Sequence, residues 1–424
     1  MRATVLTGLL GKALEAVTLV LLFTLVPRLL GPSDYGDFAV ALSIVMLASA
    51  ASALGGPTWM SRFVPTVAAA DRPALARALA ARSARWRIAV CAVAAIVATI
   101  LALADPDRFG VLTCLFVVLA VLLDVAATLV YQVGLALGRI GLWSLRYPIQ
   151  NAVLVTVVPV LHAAFGSEGA LAGVALASGS ALAVGLVVAP AWRGTPSAAM
   201  LPPGAVRFAV IYGASGFFVQ LLHRGGVVLV AVLAGSQVEA GLAAISIGIA
   251  LALTYVVWQA FTLELPRLAA GGETSERTDA SVRTLAWLAL VVVAPVAMLG
   301  AIVLDRVIPA LAGARYGDIG ASLGSALATA PLAPLTSAAA QVSALRVRPL
   351  LRLLATAVGA FVFLVAALVL VPDEAAAGAT IALLLGTAAT AAVGAFSFRD
   401  VLDRRFVAAS FLAGLLVLGI STLT

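Results

Sequence analysis

Among the stretches of this chain that run for twenty residues or more without a charged side chain are six, 169–192, 240–263, 284–304, 319–345, 353–372 and 375–398, that are apolar almost throughout. A helix rises about 1.5 Å per residue, so roughly 20 apolar residues cross the ~30 Å hydrocarbon core of a bilayer. A water-facing fold has no place for six such runs. Soluble chains hold about a quarter of their residues charged, and here 11% are charged against 63% hydrophobic. Lipid is therefore the solvent for most of the protein. If each helix tolerates one or two polar residues, further spans are expected near 4–28, 36–56, 86–104, 110–133, 147–166, 206–234 and 406–423, giving thirteen candidates, the last the weakest. Membrane β-barrels show short alternating strands instead of solid apolar runs, so the expected class is an all-α polytopic membrane protein.

Charge sets the expected orientation. With a cytoplasmic N-terminus, 20 of the 26 basic residues fall in inner segments, and only Arg28, Arg108, Arg306 and Arg315 fall outside. That asymmetry obeys the positive-inside rule and accounts for the net charge of +7 without a nucleic-acid surface. The first span opens like a signal peptide, but Lys12 and Glu15 interrupt it and no small-residue cleavage site follows, so it is expected to stay attached. Cys91 and Cys114 lie in apolar runs without metal or redox spacing and read as packing residues. The arginine-spaced, alanine-rich segment 57–85 fits an interfacial helix or a plain topology anchor.

The segment AWRGTPSAAMLPPG is the best linker in the chain. It divides the sequence into a six-helix half (1–190), a cytoplasmic linker (191–205), a second six-helix half (206–398), and a basic segment with an extra span (399–424). A faint repeat supports the division: GDFAVALSI from Gly36 aligns with GLAAISIGI from Gly241, an offset of about 205 residues. An even number of spans per half makes these parallel repeats, a recurrent transporter plan with a central cavity.

The wording LLGPSDYG, with Leu30, Gly31, Pro32, Tyr35 and Gly36, followed by Gly55 and the Arg62–Phe63 pair, resembles the opening of flippases that export lipid-linked oligosaccharides. These belong to the superfamily that also holds the multidrug and toxin extrusion transporters. The likeness continues in order at 165–185, 261–269 and 311–330. It implies 12–13 transmembrane helices in two six-helix repeats. The implied activity is flipping of a polyprenyl-pyrophosphate-linked glycan across the inner (plasma) membrane, for lipopolysaccharide or other cell-surface polysaccharide biosynthesis. Membrane lipids and other polysaccharide-assembly proteins are the implied partners. No cofactor, metal or catalytic residue is expected. One departure is clear: many relatives place an acidic residue before a basic one in the seventh helix, and this chain has His223–Arg224.

An ionisable group at mid-bilayer costs about 2.5–3.5 kcal/mol on insertion scales, so each one is a functional candidate. Lys12 and Glu15, three apart, share a helix face. Either they neutralise each other, or Lys12 faces the cavity and Glu15 gates it. Arg224 cannot shed its proton and must find an anion or water, either as a cavity residue or as the partner of Asp124. The following Gly225–Gly226 would permit a bend or a ligand's approach. His223 reads as a proton site or a packing residue, and Asp124 as a coupling-ion site or Arg224's partner. For an anionic pyrophosphate cargo, Lys12, Arg62 and Arg224 are the expected binding groups, because guanidinium forks suit phosphate oxygens.

Two other functions compete. A drug or cation antiporter of the same superfamily needs carboxylates in the spans, where only Glu15 and Asp124 stand against Lys12 and Arg224. A membrane glycan polymerase or glycosyltransferase needs a large polar loop, and the outer loops here are short; no phosphate loop, zinc-protease helix or nucleophile elbow occurs. The thirteen-span reading has a direct test. A C-terminal reporter that works only outside the cytoplasm should be active, whereas a cytoplasmic C-terminus would reduce the count to twelve.

Overall fold

The computed structural model describes residues 2–53, 56–104, 110–188, 201–270 and 276–423, and among these every regular element is helical. Most of the linker segment, 191–200, lies outside the described residues. The helices in chain order are α1 (Arg2–Leu30), α2 (Pro32–Ser52), α3 (Gly56–Phe63), α4 (Arg72–Ala104), α5 (Val111–Ala136) and α6 (Ile140–Val188). There follow α7 (Ala205–Leu229), α8 (Gln237–Ala270), α9 (Glu276–Ala312), α10 (Gly320–Leu327), α11 (Ala333–Leu345), α12 (Pro349–Ser397) and α13 (Arg404–Ser421). Ten helical stretches are long and apolar enough to cross a membrane by length and composition.

Two of them must be counted twice. At 49 residues each, α6 and α12 would extend for ~74 Å if straight, more than twice the ~30 Å hydrocarbon core. Each breaks instead, at Gly166 (φ 65°, ψ −148°) and at Ala375 (φ 43°, ψ −114°). The arms then fold back on each other. In α6, a Cβ on Gly173 would come within 2.7 Å of the Val158 side chain, and Gln150 Nε2 donates to Ser178 Oγ at 3.2 Å. In α12, a Cβ on Gly359 would lie 2.6 Å from the Gly386 carbonyl oxygen. Small residues let the antiparallel arms approach closely, as apolar association in lipid requires. The second arm of α12 starts with the buried Ala376, whose N–H donates to Glu239 of α8 at 3.2 Å.

Contacts group the chain into two units: Met1–Leu22 with Ala41–Gly213, and Phe23–Val40 with Ala214–Thr424. Their backbones share a pattern. Positive φ occurs at Gly138 and Gly166 in the first and at Val347 and Ala375 in the second, the same offset of 209 residues in each case. The internal repeat is thus visible as conformation where the residue identities have diverged.

Within the second unit, α2 crosses α8 at the two glycines aligned by the sequence repeat. A Cβ on Gly36 would collide with the Gln237 carbonyl, and one on Gly241 would come within 3.2 Å of the Pro32 carbonyl oxygen. Tyr316, in the 3-10 turn before α10, donates its hydroxyl to the Pro27 carbonyl at 3.3 Å. At the other end of this unit, Arg346 bonds Asp279 at 2.8 Å and also Asp400, joining α9, the end of α11 and the turn before α13. Burial pushes the Asp400 carboxyl up, but the Arg346 guanidinium outweighs it and holds the group below its ordinary range. The link therefore contributes at neutral pH and weakens as pH falls through the carboxylate range.

Two sequence expectations need correction. The basic segment 57–85 is not one helix: α3 covers its start, and α4 begins at Arg72 and continues unbroken through the apolar span. Alanine and arginine are both strong helix formers, and nothing between 74 and 104 terminates the helix. The charge-free run 319–345 is not one helix but two, α10 and α11, separated by a 3-10 turn at Ala330–Leu332. Pro331 and Pro334 lack the N–H groups that would continue the ladder, which ends one helix and starts the next.

Ala375 offers a test of the hairpin geometry. An L-residue at positive φ costs about 1–2 kcal/mol relative to glycine, part of which returns through the unfolded chain. Ala375→Gly should raise the thermal midpoint by roughly 1–2 °C, and the branched Ala375→Val should lower it, read by unfolding in detergent.

Candidate functional site

In the first unit the polar chemistry centres on Asp124 of α5, which is 2% exposed. Its Oδ1 accepts from Arg146 at 2.9 Å and from Gln150 Nε2 at 3.2 Å, while Oδ2 accepts from Ser49 Oγ at 2.8 Å. Arg146 also lies over the Tyr147 ring, 4.7 Å from its centroid. Next to this cluster, Arg87 of α4 donates to the Val125 carbonyl at 2.7 Å, to Gln132 Oε1 at 3.1 Å and to Ser83 Oγ at 3.0 Å. One of two neighbouring buried arginines thus bonds the carboxylate, and carbonyl, amide and hydroxyl groups supply the other's bonds.

Of the alternatives left for Asp124, a partner arginine is the one seen, but that partner is Arg146 of its own unit. Arg87 and Arg146, read from the sequence as topology anchors of inner segments, are buried in helices at 3% exposure each. A signal for them was present. Ser83 with Arg87, and Arg146 with Gln150, stand four apart and so share a helix face in otherwise apolar surroundings. Arg62 is also buried, in α3, with its guanidinium 5.7 Å from the Phe63 ring centroid. Phe63 in turn meets Phe208 edge-on at 5.4 Å. Glu15 is buried in α1. The side chain of Lys12 lies outside the described residues.

In the second unit, α7 carries His223 and Arg224 and runs into a π-helical turn, Val230–Ala234, that ends at Gly235 in the left-handed conformation. Such turns often accompany functional positions in helices. The Nε of Arg224 is buried and has no hydrogen-bond partner among the described residues. The glycines that follow do not open the helix to a ligand. A Cβ on Gly225 would come within 3.2 Å of Phe363, and one on Gly226 within 3.2 Å of Ile247, so both serve close helix packing.

His223 faces a cavity of about 60 Å³ inside this unit. Thr254 and Trp258 of α8, Thr329 at the α10–α11 break, Thr336 of α11, and Arg352, Thr356, Thr387 and Thr390 of the two α12 arms complete its polar lining. The His223 and Trp258 ring centroids are 5.5 Å apart. His223 Nδ1 and Thr387 Oγ1 are buried without a hydrogen-bond partner among the described residues. Arg352 escaped the sequence reading because it precedes a charge-free run, although Thr356 four residues on repeats the same-face signal. Among the described residues no three His, Cys, Asp or Glu side chains come together as a metal site would need.

No family model matches the chain, and no curated protein matches it. Solved structures do, over nearly the whole length. A lipid II flippase, MurJ, in an inward closed conformation aligns with a TM-score of 0.62 at 10% identity, covering 100% of this chain and 98% of the other. A multidrug resistance transporter of the multidrug and toxin extrusion (MATE) family, outward-facing, aligns at 0.58 and 14% identity, over 100% and 96%. A transporter of the same superfamily from Pyrococcus furiosus, described as having a binding pocket of reversed polarity, aligns at 0.59 and 14% identity, over 96% and 94%. The protein therefore has the twelve-helix fold that these membrane transporters share, with α13 in addition.

The Asp124 network yields a double-mutant test. Removing one partner of a buried ion pair costs about 3–5 kcal/mol, because the other charge is stranded. Arg146→Met should sharply reduce folded protein recovered from membranes. Adding Asp124→Asn should restore most of it.

Proposed function

We propose that the protein translocates a lipid-linked, polyprenyl-pyrophosphate oligosaccharide across the cytoplasmic membrane by alternating access, for cell-surface polysaccharide biosynthesis. It acts as a transporter and not as an enzyme, with its N-terminus in the cytoplasm and other polysaccharide-assembly proteins as its working partners. The shared fold with lipid and drug transporters supports transport of an amphipathic molecule. The observation that favours an anionic headgroup is the distribution of counter-ions. Asp124 is bonded to Arg146, whereas Arg224 has no carboxylate partner among the described residues.

An arginine in the middle of an apolar helix keeps its charge and attracts an anion, and its planar donors suit a pyrophosphate. Arg224 is accordingly the principal headgroup contact in this proposal. Lys12 and Arg62 assist it, and Glu15, Asp124 and His223 tune the site. Asp124 does so by holding Arg146 in place.

Proteoliposomes carrying a fluorescent polyprenyl-pyrophosphate disaccharide test this. Flipping is read as exposure of the sugar to an external lectin. Arg224→Ala should slow exposure about tenfold or more, the worth of one charge-assisted contact, without lowering the thermal midpoint. Arg224→Lys should recover part of the rate, because charge is kept and the two-pronged geometry is lost. Efflux of a lipophilic cation that requires Asp124, with no movement of the glycolipid, would establish the antiporter instead.

A further inference from the structure

We propose that the cavity inside the second unit is a binding site for a small inorganic anion of halide size. The proposal rests on what lines the cavity and on which of those groups lack partners. Arg352 is its one charged side chain, and no carboxylate lines it. A metal cation there would face a guanidinium and no lining carboxylate, an unfavourable setting where water is scarce.

The donors are specific. His223 is 8% exposed and Thr387 9%, yet Nδ1 of the one and Oγ1 of the other have no hydrogen-bond partner among the described residues. Burying a polar group unbonded is costly, so two of them in one cavity mark a place where something else completes the bonding. The other α12 threonines are occupied. Thr356 and Thr390 donate to the carbonyls of Arg352 and Gly386, four residues back, at 3.0 and 2.9 Å. Thr387 makes no such bond and keeps its O–H for the cavity.

The backbone adds to this. The chain breaks between α10 and α11 beside the cavity, and Ala333, the first residue of α11, lines it. The positive end of that helix dipole faces the same space. At the end of α10, Thr329 Oγ1 donates to the Ala326 carbonyl at 2.7 Å and so offsets the opposite pole. A volume of about 60 Å³ leaves room for one small anion, since a water needs about 10–15 Å³ in the same measure. Arg224 is not among the lining residues, so the site is separate from the cargo contact proposed there.

The test uses the full-length protein in detergent, with sodium bromide replacing sodium gluconate at constant ionic strength. Bromide should raise the thermal midpoint saturably, as ligand linkage requires. It should also quench a fraction of the tryptophan fluorescence that disappears in Trp258→Phe. Arg352→Gln should weaken half-saturation at least tenfold. Thr387→Val, which preserves shape and removes only the hydroxyl, should weaken it several-fold and decides the matter if Arg352→Gln fails to fold. Identical bromide dependence in the Thr387→Val variant and the unaltered protein would overturn the proposal. So would a saturable response to sodium against choline with none to the anion. Because no cargo is involved, bromide binding by a protein that flips no glycolipid would support this site and reject the transport reading.

Discussion

In hydrocarbon no water is present to bond a free N–H or C=O, so every interruption of a helix must be compensated by a named group. The protein follows this constraint at several helix ends. Glu239 accepts the N–H of Ala376 where the second arm of α12 begins, and Asp403 accepts that of Phe406 at the start of α13. The Thr329 hydroxyl covers the end of α10. Arg139, in the turn before α6, donates to the Val188 carbonyl at the far end of that helix at 3.2 Å. Carboxylates and arginines at helix ends are thus the conditions under which helices in lipid can stop and reverse, in addition to whatever they contribute to charge.

How far the sequence reveals this fold follows from the same constraint. Hydropathy marks apolar length, and length was legible: the hairpins of α6 and α12 had been expected as pairs of spans, 147–166 with 169–192 and 353–372 with 375–398. Hydropathy does not mark where a helix continues past the lipid. That is why α4 begins at Arg72, many residues ahead of its expected start near 86. Nor does it register the effect of two prolines in a charge-free run, where backbone geometry and not polarity divides α10 from α11.

Candidate site residues were legible where a charge stood alone and obscure where it stood at an edge. Asp124 and Arg224 each stand within an apolar run and so stand out as candidates from the sequence. Arg87, Arg146 and Arg352 were assigned to loops because each adjoins other basic residues or precedes an apolar run. Arginine's long stem reaches inward as readily as outward, so its distance from a run's edge says little about where the guanidinium ends. Same-face polar spacing carries the better information. Ser83, Gln150 and Thr356 each sit one helical turn from the arginine concerned, and in the first unit two of those turns became hydrogen-bonded networks.

The two units repeat one backbone pattern and put it to different chemical use. In the first, the interior arginines are closed around Asp124 and the carbonyls and amides beside it, an arrangement that contributes position more than net binding energy. In the second, the corresponding α12 hairpin holds Arg352 beside threonines with no carboxylate in the lining. A repeat needs only its helix breaks and close-packed small residues to keep its shape, and these are what recur at Gly138 and Val347 and at Gly166 and Ala375. The polar residues between them are free to diverge, and it is their charge balance that distinguishes the interior of one unit from that of the other.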